Sequence, residues 1–283
     1  MKAILFPTDF SDDSAHAVQY AAMLAVRFKS KLILLNVYSI ALPVVSVTPM
    51  IFDRENLDTF RQNEAERSLQ IFTDALIEAT QFDYTQIEQI VAYGLVTDAI
   101  VDTAKSKDVD FIIMRSQGAS SLMDRWFGTN TEKVVEAMAC PVWVIPKNIA
   151  LDVPQVIMYA ADFEEDEVTS TFEILALAQP LGASCKVIHI HEYAEEKSEL
   201  PDKQMAKSLT DTFQHFDVTV KNIRRDAIVQ GLETYVRTHK PDVLALAVYE
   251  KSFFSKLFSN SLSVHFIQEM KLPLLFFKKT KYV

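Results

Sequence analysis

The feature that most constrains this chain is a pattern that occurs twice. Phe6-Pro7-Thr8-Asp9-Phe10 returns as Tyr159-Ala160-Ala161-Asp162-Phe163, an offset of 153 positions. Later in the chain Asp110 returns as Asp242, and Cys140-Pro141-Val142 returns as Leu272-Pro273-Leu274, an offset of 132. Repetition at this period implies two copies of one fold, the second shorter in its middle. The 283 residues fit that count, since a domain takes roughly 150 residues and each copy is long enough to bury its own core. The copies are expected over residues 1–147 and 153–283, with 148–152 as the linker.

Within the first copy, short apolar runs alternate with helical spacing. Lys2 to Phe6 is apolar and is broken by Pro7-Thr8-Asp9-Phe10-Ser11, after which Ala15, Val18, Ala22 and Ala25 recur on one helix face. Ser11 is a good N-cap, and Asp12 and Asp13 suit the positive end of the helix dipole, as Arg27 and Lys29 suit the other end. Lys31 to Val37 reads as a strand buried on both faces, where no period-two alternation is expected. Residues 40–52, broken by Pro43 and Pro49, read as an irregular loop and a candidate lid. A long amphipathic helix follows through Leu57, Phe60, Leu69, Phe72, Leu76 and Ala79. Tyr84 to Ala92 is predicted as a strand, Asp98 to Lys107 as a helix, and Asp110 to Met114 as a strand. A further helix and the strand Val142 to Ile145 complete the copy. Such alternation implies a parallel sheet with helices on both faces and right-handed crossovers. Ligands bind such sheets at the carboxyl ends of the strands, which is where Asp9 and the loop after Met114 belong.

Composition narrows the function. A net charge of −10 would repel a nucleic-acid backbone, so nucleic acid is not an expected partner. Cys140 and Cys185 are the only cysteines and have no short spacing, which leaves neither a disulfide framework nor a thiolate metal site. The N-terminus is too acidic for a signal peptide, and no apolar run reaches the ~18 residues that span a bilayer. A cytoplasmic protein without a membrane span is the expectation.

Chemistry concentrates between Met114 and Glu132. Gly118 follows the fourth strand, nine residues separate it from Gly128, and Thr129 precedes a helix. Glycines let the backbone approach an anion, Thr129 offers a hydroxyl, and the helix N-terminus offers unpaired N–H groups, so the segment suits a phosphate. Arg115 and Arg125 could add charge. The plainer reading is a turn glycine and a helix cap.

Taken together, Pro7-Thr8-Asp9-Phe10-Ser11, Asn36-Val37, Gly94 with Ile100-Val101, Gly118-x9-Gly128-Thr129 and Cys140-Pro141-Val142-x-Val144-Ile145-Pro146 resemble the universal stress protein family. The resemblance covers the chain as two tandem copies and is strongest in the first. It implies an α/β fold of two Rossmann-like, adenine nucleotide alpha hydrolase-like domains, each with a five-stranded, mainly parallel sheet flanked by helices. Nucleotide-binding members carry G-x2-G-x9-G-[S/T]. By that resemblance Pro7, Thr8, Asp9, Val37, Met114, Arg115, Gly118, Gly128, Thr129 and Asn130 would form an ATP site, with magnesium, in the first copy alone. Asp9 and Val37 would face the adenine, and Gly118, Gly128 and Thr129 the phosphates and ribose. Arg115 stands where the motif has its first glycine, and its guanidinium either occludes the ribose region or pairs with a phosphate. At the offset of 132 the second copy has Ala247, Glu250, Asn260 and Ser261 instead, and Glu250 would oppose a phosphate.

Other clusters carry plainer readings. Phe253, Phe254, Leu257 and Phe258 with Lys251 and Lys256 suggest either a docking patch or, more simply, packing beneath a helix. His189 and His191 lie on one face of a strand, but spacing supplies no third ligand, so no metal is expected and their role reads as structural. Ser116, Ser120 and Ser121 form no nucleophile elbow, and no catalytic residue is assigned. The expected function is a stress-response binding and regulatory protein, more readily a non-enzyme than an enzyme. A slow ATP hydrolase and an interaction module without a nucleotide are the alternatives. The family tends to self-associate through its last strand, so Val142 to Ile145 and Leu274 to Phe277 are expected to pair within the chain or in a homodimer.

Overall fold

The computed structural model describes residues 2–39, 54–116, 129–138, 140–163, 166–192, 199–225, 228–248 and 272–279. By internal contacts the chain divides into two compact units, Met1–Arg115 and Ser116–Val283. The repeat in the sequence and this division answer different questions: the first marks where the pattern restarts, the second which segments pack together.

The first unit runs β1 (Ala3–Pro7), α1 (Asp12–Phe28), β2 (Lys31–Tyr38), α2 (Arg54–Thr80), β3 (Ile87–Tyr93), α3 (Val96–Ser106) and β4 (Phe111–Arg115). Its strands lie in the order β3-β2-β1-β4 and all pair in parallel. Ile4, Leu5 and Phe6 in β1, Leu32 to Leu35 in β2, and Phe111 to Ile113 in β4 are buried at consecutive positions. Consecutive burial means that both faces of the sheet are covered, as a parallel sheet requires. Ser11 caps α1 by accepting from the Ser14 N–H at 3.2 Å. The helix buries Ala17, Val18, Ala21, Leu24, Ala25 and Phe28, and Lys29 ends it in the left-handed region at φ 51°. One expected boundary is corrected. Tyr84–Gln86 is a single 3₁₀ turn rather than the start of a strand, because the Asp83 carboxylate accepts from the Thr85 N–H at 2.9 Å and holds the chain in a turn. The strand starts at Ile87.

In the second unit α4 (Thr129–Ala137) and β5 (Val142–Ile145) are followed by β6 (Val156–Ala161), α5 (Glu167–Leu181) and β7 (Ser184–Glu192). Then come α6 (Glu199–Thr212), β8 (Val218–Arg225), α7 (Ile228–His239), β9 (Val243–Val248) and β10 (Leu274–Lys278). The strand order is β5-β10-β9-β6-β7-β8. β5 and β10 are antiparallel, with Trp143 opposite Leu275, and the pairs from β10 through β9, β6 and β7 to β8 are parallel. Trp143, Leu275 and Phe276 are almost wholly buried there. Residues 146–155, between β5 and β6, form neither helix nor strand. Among the described residues no helix is long and apolar enough to cross a membrane.

The repeat shows itself as a shared device. Asp110 Oδ2 accepts from the Ala3 N–H at 3.0 Å and from the Lys2 N–H, and Asp242 Oδ2 accepts from Gln155 N at 2.8 Å and Val156 N at 2.9 Å. In each unit a carboxylate just before one strand thus satisfies the backbone donors that open its neighbour, which fixes their register. Replacing Asp242 by Ala is expected to cost about 1–2 kcal/mol and to lower the melting temperature by a few degrees. Thermal unfolding followed by circular dichroism checks this, with Asp242→Asn expected to recover part of the loss.

Candidate functional site

At the carboxyl end of β1 the chain turns sharply. Pro7 closes the strand, the buried Thr8 donates its N–H to Leu35 O at 2.9 Å, and Phe10 takes a φ of 62°. Thr8 Oγ1 accepts from the Phe10 N–H at 3.1 Å, and Asn36, buried in β2, donates its side-chain amide to Thr8 O at 2.9 Å. These bonds tie the loop to β2 and leave Asp9 outermost.

Asp9 is held by its neighbours. Its Oδ1 accepts from Ser11 N at 3.1 Å, Ser11 Oγ at 2.6 Å and Ser14 Oγ at 2.7 Å. Its Oδ2 lies 3.0 Å from Arg115 Nη2, while Arg115 Nη1 lies 3.5 Å from Asp13 Oδ2. Partial burial opposes the charge on Asp9, but the Ser11 and Ser14 donors and the Arg115 guanidinium outweigh it and hold the carboxyl down at about 2. Arg115 ends β4, next to the buried Met114, and Val37 is half-buried near the end of β2. The structure therefore brings Asp9 and Arg115 together at the strand ends, with Thr8 next to Asp9 in the same loop but bonded to β2. Thr129 and Asn130 open α4 in the other unit, with Asn130 exposed. Gly118 and Gly128 lie outside the described residues. So do the 40–52 loop, Ser120, Ser121, Arg125, Glu250, Asn260, Ser261 and the aromatic stretch around Phe253 and Phe254.

A lowered carboxyl acts on stability at low pH. The folded state holds Asp9 at about 2 against an ordinary 3.8, so its contribution is present above about 4 and is lost as pH falls toward 2. Acid unfolding of the Asp9→Asn variant is expected to be less steep than that of the wild type across this window, as urea midpoints measured at stepped pH would show.

The second unit answers the same position differently. Asp162, the counterpart of Asp9, lies 2.7 Å from Lys279 Nζ, and the same ammonium lies 2.7 Å from Glu167 Oε1. The helix start is capped by Asp166, which accepts from the Thr169 N–H. Glu167 stands where the first copy has Ser14, and is fully buried. It also accepts from Tyr159 Oη at 2.6 Å and the Phe163 N–H at 2.9 Å. Burial pushes its carboxyl up, to about 7, and Asp162 adds to the rise, while Lys279 opposes it. The cation and its acceptors thus fill this loop from inside. Lys279→Met would strand buried acid groups and is expected to cost about 3–5 kcal/mol, with part regained in Lys279→Met, Glu167→Gln, as denaturant unfolding would measure.

Sequence reading singled out neither Lys279 nor Asp13 for this role, because the pairs join residues more than a hundred positions apart. The thiol of Cys185 is pushed up to about 12 by burial, helped by Asp217, which removes it as a nucleophile.

Residues 1–146 match the family model described as universal stress protein family. The chain belongs to the universal stress protein family. Universal stress protein YxiE of Bacillus subtilis (strain 168) is 31% identical over 144 residues, covering 50% of this chain and 97% of that protein. Universal stress protein MJ0577 of Methanocaldococcus jannaschii is 28% identical over 158 residues, covering 52% and 95%. A crystal structure of a universal stress protein from Archaeoglobus fulgidus superimposes with a TM-score of 0.72 at 18% identity, covering 99% of this chain and 97% of that one. This last likeness is one of fold, and it extends the family architecture over both halves of the chain.

Proposed function

We propose that this universal stress protein is a regulatory binding protein with one adenine-nucleotide site, in the copy spanning residues 1–147. The observation that carries the reading is the loop Pro7-Thr8-Asp9 at the carboxyl end of β1, fixed by Asn36, Ser11, Ser14 and Arg115 with Asp9 left exposed. Directly after β4 the sequence supplies Gly118-x9-Gly128-Thr129, the anion-binding part of the family motif. In this reading Asp9 and Val37 meet the base, the glycine segment and Thr129 take the ribose and phosphates of Mg-ATP, and Met114 and Asn130 line the same place.

Arg115 is the departure from the motif, and its geometry supports a definite role. Its guanidinium already faces Asp9 and Asp13, so its charge is met by two carboxylates. It positions Asp9 rather than a phosphate. The second copy binds no nucleotide in this manner, because Lys279 neutralises Asp162 internally and the glycines of the motif are replaced. Regulation then follows from occupancy: a nucleotide that binds one arrangement of the protein more tightly shifts the population toward it. Such a protein would act in the cytoplasm as a monomer or homodimer.

The test begins with mass spectrometry of small molecules released when the freshly purified protein is denatured, followed by calorimetric titration of the emptied protein with Mg-ATP. About one nucleotide per chain is expected, lost in Gly118→Glu and changed less than about tenfold in Arg115→Ala. A loss of about tenfold or more in Arg115→Ala would give the guanidinium to the phosphates, since a charged hydrogen bond is worth about 1.5–3 kcal/mol. A flat titration with no retained ligand would overturn the nucleotide site.

A further inference from the structure

The pair of histidines that lacked a third ligand in the sequence acquires one in the fold. His189 and His191 lie on one face of β7, near its carboxyl end, and Asp202 projects from α6 toward them. All three are buried, each only 7% exposed. One potential ligand atom from each lies within 4.8 Å of the other two.

The hydrogen bonds around the rings show what is missing. His189 Nδ1 lies 2.9 Å from Ala161 O, a group that can only accept, so Nδ1 carries a proton. In the neutral ring the lone pair is then on Nε2, and Nε2 faces Asp202 Oδ2 at 3.5 Å. That carboxylate oxygen is buried and has no hydrogen-bond partner. Two electron-rich atoms directed at each other in a buried place require a cation between them. A shared proton would draw N and O to about 2.7–2.9 Å. A divalent metal with bonds of about 2.0–2.2 Å in tetrahedral geometry sets its ligand atoms about 3.3–3.5 Å apart. The separation of 3.5 Å between His189 Nε2 and Asp202 Oδ2 fits the metal. The surroundings supply an outer layer as well: Ala161 O orients His189, Asn222 Oδ1 accepts from His191 Nδ1 at 2.8 Å and so leaves the lone pair of that ring on Nε2, and Phe163 stacks on His189 at 4.2 Å.

The first unit supplies an internal comparison. At the offset of 153, His189 corresponds to Asn36 and His191 to Tyr38. Asn36 makes the same bond as His189, to the carbonyl of the corresponding residue Thr8, and Tyr38 reaches a helix aspartate, Asp58, at 3.1 Å. The scaffold therefore manages with an amide and a phenol at these places. The second copy carries two imidazoles instead, each with a second ring nitrogen beyond the one that bonds Ala161 O or Asn222 Oδ1.

We propose that His189, His191 and Asp202 bind one divalent transition-metal ion, with zinc the fitting ion for a buried set of two imidazoles and a carboxylate, and with the fourth position left to water or an external ligand. The metal ties α6 to the end of β7 and places a Lewis acid beside the loop that carries Asp162.

The full chain, stripped with a chelator and dialysed, is titrated with Co(II) and the visible absorption of tetrahedral Co(II) recorded, after which Zn(II) is added. One Co(II) per chain, displaced by Zn(II), is expected, and zinc is expected to raise the melting temperature by several degrees. His189→Asn and His191→Tyr install the first copy's own residues, and Asp202→Asn keeps the side-chain shape. All three are expected to keep the wild-type circular dichroism and to lose the Co(II) band and the zinc-dependent shift. The proposal is overturned if the folded, stripped wild type takes up no Co(II), which would make the cluster a proton-held ion pair. It is equally overturned if uptake persists in folded His191→Tyr and Asp202→Asn, which would place the metal elsewhere.

Discussion

Parallel pairing between strands buried on both faces is the constraint from which the rest follows. Such strands cannot be joined by hairpins, so each return crosses the sheet as a helix, and every loop that follows a strand collects at the same edge. Ile4 to Phe6 against Leu32 to Leu34 in the first unit, and Tyr159 against Val187 in the second, are such pairings. Because both faces are apolar, polar side chains are confined to the strand ends, and it is there that Thr8, Asn36, His189 and Asp162 appear. The candidate sites are the places where the packing rule stops applying.

At those ends the two copies solve one electrostatic problem in two ways. An aspartate after the first strand, on a loop that turns through a left-handed Phe10 or Phe163, needs a positive partner. Arg115 supplies it in the first unit from the end of β4, leaving Asp9 substantially exposed. In the second, Glu167 replaces Ser14 and adds a second carboxyl, and the ammonium of a buried Lys279 pairs with both groups. The guanidinium leaves its aspartate exposed, whereas the ammonium in the interior fills its loop. Chemistry in the second unit accordingly moves along the edge, to the imidazoles of β7.

Much of the architecture was legible in the sequence because it rests on local rules. Ser11 as N-cap, Asp12 and Asp13 in the first turn, and the continuous apolar runs of β1, β2, β4 and β5 depend on neighbours a few positions apart. The 3₁₀ turn at Tyr84–Gln86 was not, since Tyr84 and the residues after it suit a strand and a single side-chain bond from Asp83 decides otherwise. The sites were legible by halves. Asp9 and Arg115 stood out, but their pairing joins positions 106 apart, and no periodicity reports such a distance. Asp202 was hidden for the same reason, on a helix that follows β7 at an irregular spacing. Extending the repeat offset of 153 through β2 would have aligned Asn36 with His189 and Tyr38 with His191, and so marked both histidines as substitutions within a duplicated frame.

The buried Lys279 also bears on the order in which the second unit forms. Asp162 and Lys279 are separated by 117 positions, and Glu167 and Lys279 by 112. Bringing such groups together closes a long loop, whose entropy must be met before the contact gives anything back. Lys279 directly follows β10, so the ammonium that meets Asp162 and Glu167 is in place only once that strand has paired with β9. A chain emerging from a ribosome would hold β6 and α5 ready, with their acids still in water, and seal them only when the residues after Phe277 arrive.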